Sequence, residues 1–241
     1  MQRFLLPLLA LLLPLSAPAF GAQPVEVVRI DLVYAQAYLL RGSAGAVLVD
    51  TGLPGASARI LGVARRAGVQ PEDIDLIVLT HTHVDHAGAA AELARRTGAP
   101  VAVAAHGHGL LARGRGAPVV PHTPLGRVIA WVGKDHRVPA HDAEILVRER
   151  LDLSPWGIDG LVLATPGHTA CSQALVVPGQ LAVVGDLLVG PSSSPRIPNL
   201  RELPERVQPS IDAVLAYEPA QLMLGHVRPV DLALAQGLGT P

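Results

Sequence analysis

Four candidate metal ligands crowd into six residues: His81, His83, Asp85 and His86, within Thr80-His81-Thr82-His83-Val84-Asp85-His86-Ala87-Gly88. An apolar run, Asp75-Leu76-Ile77-Val78-Leu79, leads in, and an alanine-rich amphipathic run, Ala89 to Arg96, leads out. This order predicts strand, ligand loop, helix. His81 and His83 stand two residues apart, so in an extended loop they project to the same side. A third ligand from elsewhere would complete the three-histidine set that catalytic zinc sites use. Asp85 and His86 then point to a neighbouring position and can hold a second metal, such pairs lying roughly 3.5–4 Å apart. The loop cannot close such a site alone.

Three later points offer a polar residue at the end of an apolar strand. His168 follows Leu161-Val162-Leu163 within Ala164-Thr165-Pro166-Gly167-His168-Thr169; Gly185-Asp186 follows Val183-Val184; Gly225-His226 follows Leu222-Met223-Leu224. A buried strand end is a costly place for an unpaired His or Asp. Glycine beside each permits the tight backbone that aims the side chain, and a cavity shared by all three is expected. Asp50 also ends a buried run, in Val49-Asp50-Thr51-Gly52.

These five motifs, in this order and spacing over nearly the whole chain, resemble the metallo-β-lactamase superfamily. The resemblance implies an α/β fold: a four-layer αββα sandwich of two mixed sheets with outer helices. It implies one metal on His81, His83 and His168, another on Asp85, His86 and His226, Asp186 bridging the two, and Asp50 supporting the ligand loop. Two divalent metal ions, zinc being the expected metal, would serve a metal-bridging hydroxide oriented by Asp85, the catalytic carboxylate. The position matched by Asp186 is typically Cys or Ser in true β-lactamases. Asp there resembles the glyoxalase II-like branch, which includes thioesterases and lactonases. The expected function is therefore an exported dinuclear metal-dependent hydrolase of a small ester, lactone or thioester. A β-lactamase and a mononuclear iron enzyme of the persulfide dioxygenase type stand as alternatives.

The first residues read as an address. Arg3 precedes a short apolar core, Leu5 to Leu15, and small residues around Ala17 to Gly21, the pattern of a secretory signal peptide over 1–22. Periplasmic or secreted localisation and one hydrolase domain over 23–241 follow. A net charge of −1 argues against nucleic acid as a partner and gives an anionic membrane nothing to attract. A small-molecule substrate is the expected partner, with no stable membrane association after cleavage. A lone Cys171 makes no internal disulfide, and a buried small thiol is the expectation.

Strands are expected over Val25–Asp31 at an edge, Ala37–Leu40, Ala46–Val49, Asp75–Leu79, Pro100–Ala104, Glu144–Leu151, Gly160–Leu163, Ala174–Val177, Leu181–Val184 and Gln221–Leu224. Helices are expected over Ser57–Ala67, Ala87–Thr97 and Glu205–Tyr217, with a terminal scrap over Asp231–Gln236. Residues 105–143 read as a long loop with a short helix near Gly109–Ala112. His106-Gly107-His108 mimics ligand spacing but lacks a carboxylate partner in sequence. His122, His136 and His141 read as solvated. Trp131, Trp156 and the 190–204 loop are the expected pocket walls.

Overall fold

The structure, a computed structural model, describes residues 24–132 and 137–231. The expected leader, Lys134 and His136 lie outside them, as does the expected terminal helix apart from Asp231, which lies in a strand. The chain begins with β1 (Glu26–Asp31), β2 (Gln36–Arg41) and β3 (Ala46–Val49), then α1 (Ser57–Arg66) and β4 (Ile74–Val78). Next come α2 (Val84–Ala87), α3 (Ala90–Thr97), β5 (Val101–Ala104), α4 (Ala105–Ala112), α5 (Pro124–Val132) and β6 (Ile145–Val147). The second half holds β7 (Arg150–Asp152), β8 (Leu161–Ala164), β9 (Gln173–Val177), β10 (Leu181–Gly185), α6 (Pro204–Leu215), β11 (Gln221–Leu224) and β12 (Val230–Asp231).

Two six-stranded sheets result, β1 to β6 in sequence order and β12-β11-β10-β9-β8-β7. Both are mixed: β3, β4, β5 and β6 pair in parallel, as do β10 and β11, while the other pairings are antiparallel.

Strand parity explains the layering. Tyr38, Leu40, Val47, Val49, Leu76 and Val78 face inward and meet Val162, Leu175, Val177, Leu181, Val183 and Met223 of the other sheet. Their alternates Leu39, Leu48 and Ile77 face outward onto Ile60, Leu61 and Ala64 of α1 and Leu93 of α3. On the far side, Val176, Ala182, Val184, Leu222 and Leu224 meet Val207, Ile211 and Val214 of α6. Strands covered on both faces must be apolar at every position, which is why they read as continuous runs. The buried residues of α1 and α6 recur at three- and four-residue steps, the spacing of one helical face.

The expected sandwich is therefore present. The expected strand over Glu144–Leu151 is instead two strands in different sheets: the chain crosses from β6 to β7 at Arg148-Glu149. The stretch 105–143 contains α4, which overlaps the short helix expected near Gly109–Ala112 but starts at Ala105, and α5, where loop was expected. The expected helix Ala87–Thr97 is split into α2 and α3 at Gly88-Ala89. Among the described residues, no helix is long and apolar enough to cross a membrane.

Candidate metal centre

The carboxyl ends of β3, β4, β8, β10 and β11 reach one edge of the sandwich, and they carry the candidate residues there. Asp50 ends β3, the ligand loop follows β4, His168 lies past β8, Asp186 past β10 and His226 past β11. The structure brings all eight together, the first sheet supplying Asp50 and the ligand loop, the second His168, Asp186 and His226.

Three side chains form one group: His81, His83 and His168. His83 Nδ1 lies 3.0 Å from His81 Nε2 and 3.1 Å from His168 Nε2. A second group is Asp85, His86 and His226, with Asp85 Oδ2 3.8 Å from His86 Nε2 and 3.7 Å from His226 Nε2. Asp186 sits between them. Its Oδ1 is 3.5 Å from His86 Nε2, and its Oδ2 is 3.1 Å from His226 Nε2 and 3.6 Å from His168 Nε2.

The opposite ring nitrogens are held from behind, which sets each tautomer. His168 Nδ1 donates to Leu200 O at 2.8 Å and His226 Nδ1 to Tyr34 O at 2.5 Å. His86 Nδ1 donates to Asp50 Oδ2 at 2.8 Å. Thr80 Oγ1 gives its proton to the same oxygen at 2.7 Å, so it accepts from His81 Nδ1 at 3.2 Å. The backbone N–H of Thr80 donates to Asp50 Oδ1 at 2.7 Å. Asp50 thus receives three hydrogen bonds and fixes the root of the ligand loop. It does so from a left-handed backbone, φ 61, a region that Asp visits more readily than most residues.

The electrostatics divide the two groups. Burial pushes His83 down to about 3, and also lowers His168 and, well below its ordinary value, His81. All three rings are neutral at pH 7. Burial would lower His86 as well, but Asp50, Asp186 and Asp85 outweigh it and raise its pKa to about 10. Asp186 raises His226 to about 9 against the effect of burial. Burial opposes ionisation of Asp186, yet His226, His86 and His168 hold its carboxyl well below the usual range.

Metal ions fit this donor set. His81 and His168 spend their one N–H at Nδ1, so two Nε2 lone pairs face His83 Nδ1, where a single proton could satisfy only one. His86 Nε2 and Asp186 Oδ1 are buried without a hydrogen-bond partner, a costly arrangement that shared coordination to a cation would resolve. Imidazole and carboxylate are ligands that zinc accepts.

The other sequence candidates go elsewhere. His106 and His108 lie on α4, and no metal-capable group among the described residues includes them. His108 does have a carboxylate, Asp142 at 2.7 Å, supplied by the fold. His122 is exposed, as expected, and donates to Arg201 O at 2.8 Å, whereas His141 is partly buried and meets Glu144 at 3.4 Å. Cys171 is buried, its Sγ 3.5 Å from Thr82 Oγ1 and 3.4 Å from Thr169 Oγ1. Trp131 is 70% exposed and is no packed wall. Trp156 donates to Asp75 O at the start of β4, the end away from the ligand loop. Of the 190–204 loop, Leu200 adjoins the site through His168. Sequence reading missed Thr80, which a short polar residue directly before the loop could have signalled. The carbonyls of Leu200 and Tyr34 carry no sequence signal at all.

The comparisons with known proteins bear on family and fold. A family model described as the metallo-beta-lactamase superfamily matches residues 30–226. Metallo-beta-lactamase domain-containing protein 1 of Xenopus laevis is 29% identical over 189 residues, covering 76% of this chain and 66% of that protein. The human protein of the same name is 46% identical over 54 residues, 22% of this chain and 20% of its own length. An N-acyl homoserine lactonase of a Bacillus species is 32% identical over 74 residues, 21% of this chain and 30% of its own. A metallo-β-lactamase family protein of Thermus thermophilus superposes with TM-score 0.64 at 23% identity, covering 88% of this chain and 76% of that one. A HARLDQ-motif metallo-β-lactamase mutant of Cronobacter sakazakii gives 0.63 at 20%, covering 85% and 80%. With the family model spanning most of its length and the sandwich matching those folds, this chain belongs to the metallo-β-lactamase superfamily.

Proposed function

We propose that this chain is an exported dinuclear metal-dependent hydrolase of a small ester, lactone or thioester. The observation that carries the reading is the place of Asp186, whose carboxylate lies 3.5 Å from His86 Nε2 of one group and 3.6 Å from His168 Nε2 of the other. His81, His83 and His168 would hold one ion and Asp85, His86 and His226 the other, with Asp186 shared. When bound, such ions supply Lewis acidity toward a carbonyl oxygen and lower the pKa of water toward neutrality.

The chain's own residues supply the rest. Asp85, more exposed than Asp186, would hold its ion through one carboxylate oxygen and could orient the attacking water with the other. His226 is also partly open to solvent and borders the approach. The turn between β1 and β2 puts Val33 and Tyr34, 83% and 69% exposed, beside His226 through its bond to Tyr34 O. That apolar rim supports a substrate with a hydrocarbon arm. The partial match to an N-acyl homoserine lactonase points the same way, toward a lactone.

The test joins metal analysis to a substrate panel. The mature chain, purified from periplasm or medium without added metal, is expected to carry two zinc ions. It should hydrolyse lactones or thioesters faster than β-lactams or phosphoesters. One iron with oxygen consumption, or β-lactams as the best substrates, would sink the reading. N-terminal sequencing of the exported chain checks removal of residues 1–22.

A further inference from the structure

The candidate cage is divided between two sheets, and this makes their mutual register a functional quantity. The distances that close it run from one sheet to the other: His83 Nδ1 to His168 Nε2 at 3.1 Å, His86 Nε2 to Asp186 Oδ1 at 3.5 Å, and Asp85 Oδ2 to His226 Nε2 at 3.7 Å. A slip of a fraction of an ångström between sheets would spoil all three. Yet the layer between the sheets is almost wholly aliphatic. Apolar contact is non-directional and tolerates small sliding. Hydrogen bonds weaken steeply with distance and angle, so they are the interactions able to fix the register.

Two buried side chains supply them at the cage end of the sandwich. Gln173 lies on the inward face of β9, two residues before Leu175 of the central layer. Its Nε2 crosses to the first sheet and donates to Leu79 O at 2.8 Å and Ala102 O at 3.3 Å, while its backbone N–H donates to Thr80 O at 2.8 Å. Leu79 and Thr80 are the residues from which the ligand loop departs. Tyr38 makes the reverse crossing: from β2 its hydroxyl donates to Leu224 O at 2.7 Å, two residues before His226. The backbone N–H of Gln36 donates to Gly225 O at 2.7 Å beside it. Each pin joins the root of a ligand-bearing segment to the opposite sheet.

We propose that Gln173 and Tyr38 are positioning residues, a reciprocal pair of polar pins that holds the two halves of the metal cage in register. The inference rests on the metal-centre reading. It assigns these residues no contact with metal or substrate; they act through the loops that they anchor.

The test measures Co²⁺ and Zn²⁺ dissociation constants, the visible spectrum of the Co²⁺ form, and the unfolding midpoint of the metal-free protein. The variants are Gln173→Met, Tyr38→Phe and the double substitution. Each keeps most of the side-chain volume and removes the donor. Val214→Ala, on the buried face of α6 in the outer layer, serves as a control that loosens packing away from the pins. Each pin variant is expected to lose about tenfold or more in metal affinity, the usual scale for a group that orients a ligand, with a shifted Co²⁺ spectrum. Val214→Ala is expected to lower the midpoint and leave affinity and spectrum alone. Tyr38→Phe carries the test if Gln173→Met does not fold. Wild-type affinity in the pin variants, or an equal loss in Val214→Ala, would overturn the proposal while leaving the metal centre standing. A wild-type protein that takes up no Co²⁺ would overturn the metal-centre reading itself, and the pins with it.

Discussion

Asp50 occupies a backbone conformation that an apolar residue would leave, and it is kept there by what its carboxylate receives. Thr80 N–H, Thr80 Oγ1–H and His86 Nδ1–H all end on it. Asp50→Asn keeps the volume and tolerates the positive φ, but it offers one acceptor oxygen in place of two. The metal on the His86 side should then bind about 10–100-fold more weakly, read by equilibrium dialysis. Asp50→Ala strands a buried charged histidine and should cost the metal-free protein about 3–5 kcal/mol in urea unfolding. His83→Ala should abolish turnover and empty the first group, whereas His106→Ala, on α4 outside the cage, should change neither metal content nor rate. Loss of metal in His106→Ala would mean the cage is misassigned. At this scale the side-chain donors are legible in sequence because each demands a particular residue type. The carbonyls of Leu200 and Tyr34, which orient His168 and His226, are not, because any residue supplies a carbonyl.

Elements deliver those residues, and glycine sets how closely they approach. Gly185 ends β10 at φ 52, and a Cβ there would stand 2.6 Å from Thr80 Oγ1. Gly185→Ala therefore meets both backbone strain, about 1–2 kcal/mol, and overpacking, about 1–3 kcal/mol. A combined loss of about 2–5 kcal/mol in the metal-free protein is expected, with weaker metal binding because Thr80 orients His81. An alanine variant as stable as the parent would show that β10 and the ligand loop are further apart than described. The same scale shows where sequence reading stops. Strands buried on both faces announce themselves, and α1 and α6 carry clean apolar stripes. α4 holds Gly107 and Gly109, poor helix formers, and so only its second half reads as helix. On α5 the apolar residues Leu125, Val128 and Trp131 are exposed, so their three-residue spacing marks no core-facing stripe. The split of Glu144–Leu151 between sheets is a tertiary fact: both halves are extended, and nothing local says that the partner changes at Arg148-Glu149.

For the whole molecule, the cage is a cluster of opposed ionisations, and that gives the metal-free protein a two-sided pH dependence. His83, His81 and His168 have folded-state pKa values below their ordinary 6.5, with His83 at about 3. As pH falls below 6.5 the unfolded chain takes up protons that the folded cage refuses, so stability drops between 6.5 and about 3. His86 and His226 behave oppositely, with folded values of about 10 and 9. Their contribution is fully present below 6.5 and is lost as pH rises through 9 to 10. The metal-free protein should thus be most stable near pH 6.5 and weaken on both sides, measured by urea unfolding in chelator from pH 4 to 10. Metal stabilises the folded state wherever it is bound, and the two groups differ in how that binding depends on pH. The group of His81, His83 and His168 is already neutral at pH 7 and should load with little proton release. The group of Asp85, His86 and His226 must shed protons first, so its affinity should climb up to about pH 9–10. Calorimetry in buffers of different ionisation enthalpy would count those protons. Two identical, pH-independent sites between 7 and 9 would contradict the division of the cage into one neutral and one proton-bearing half.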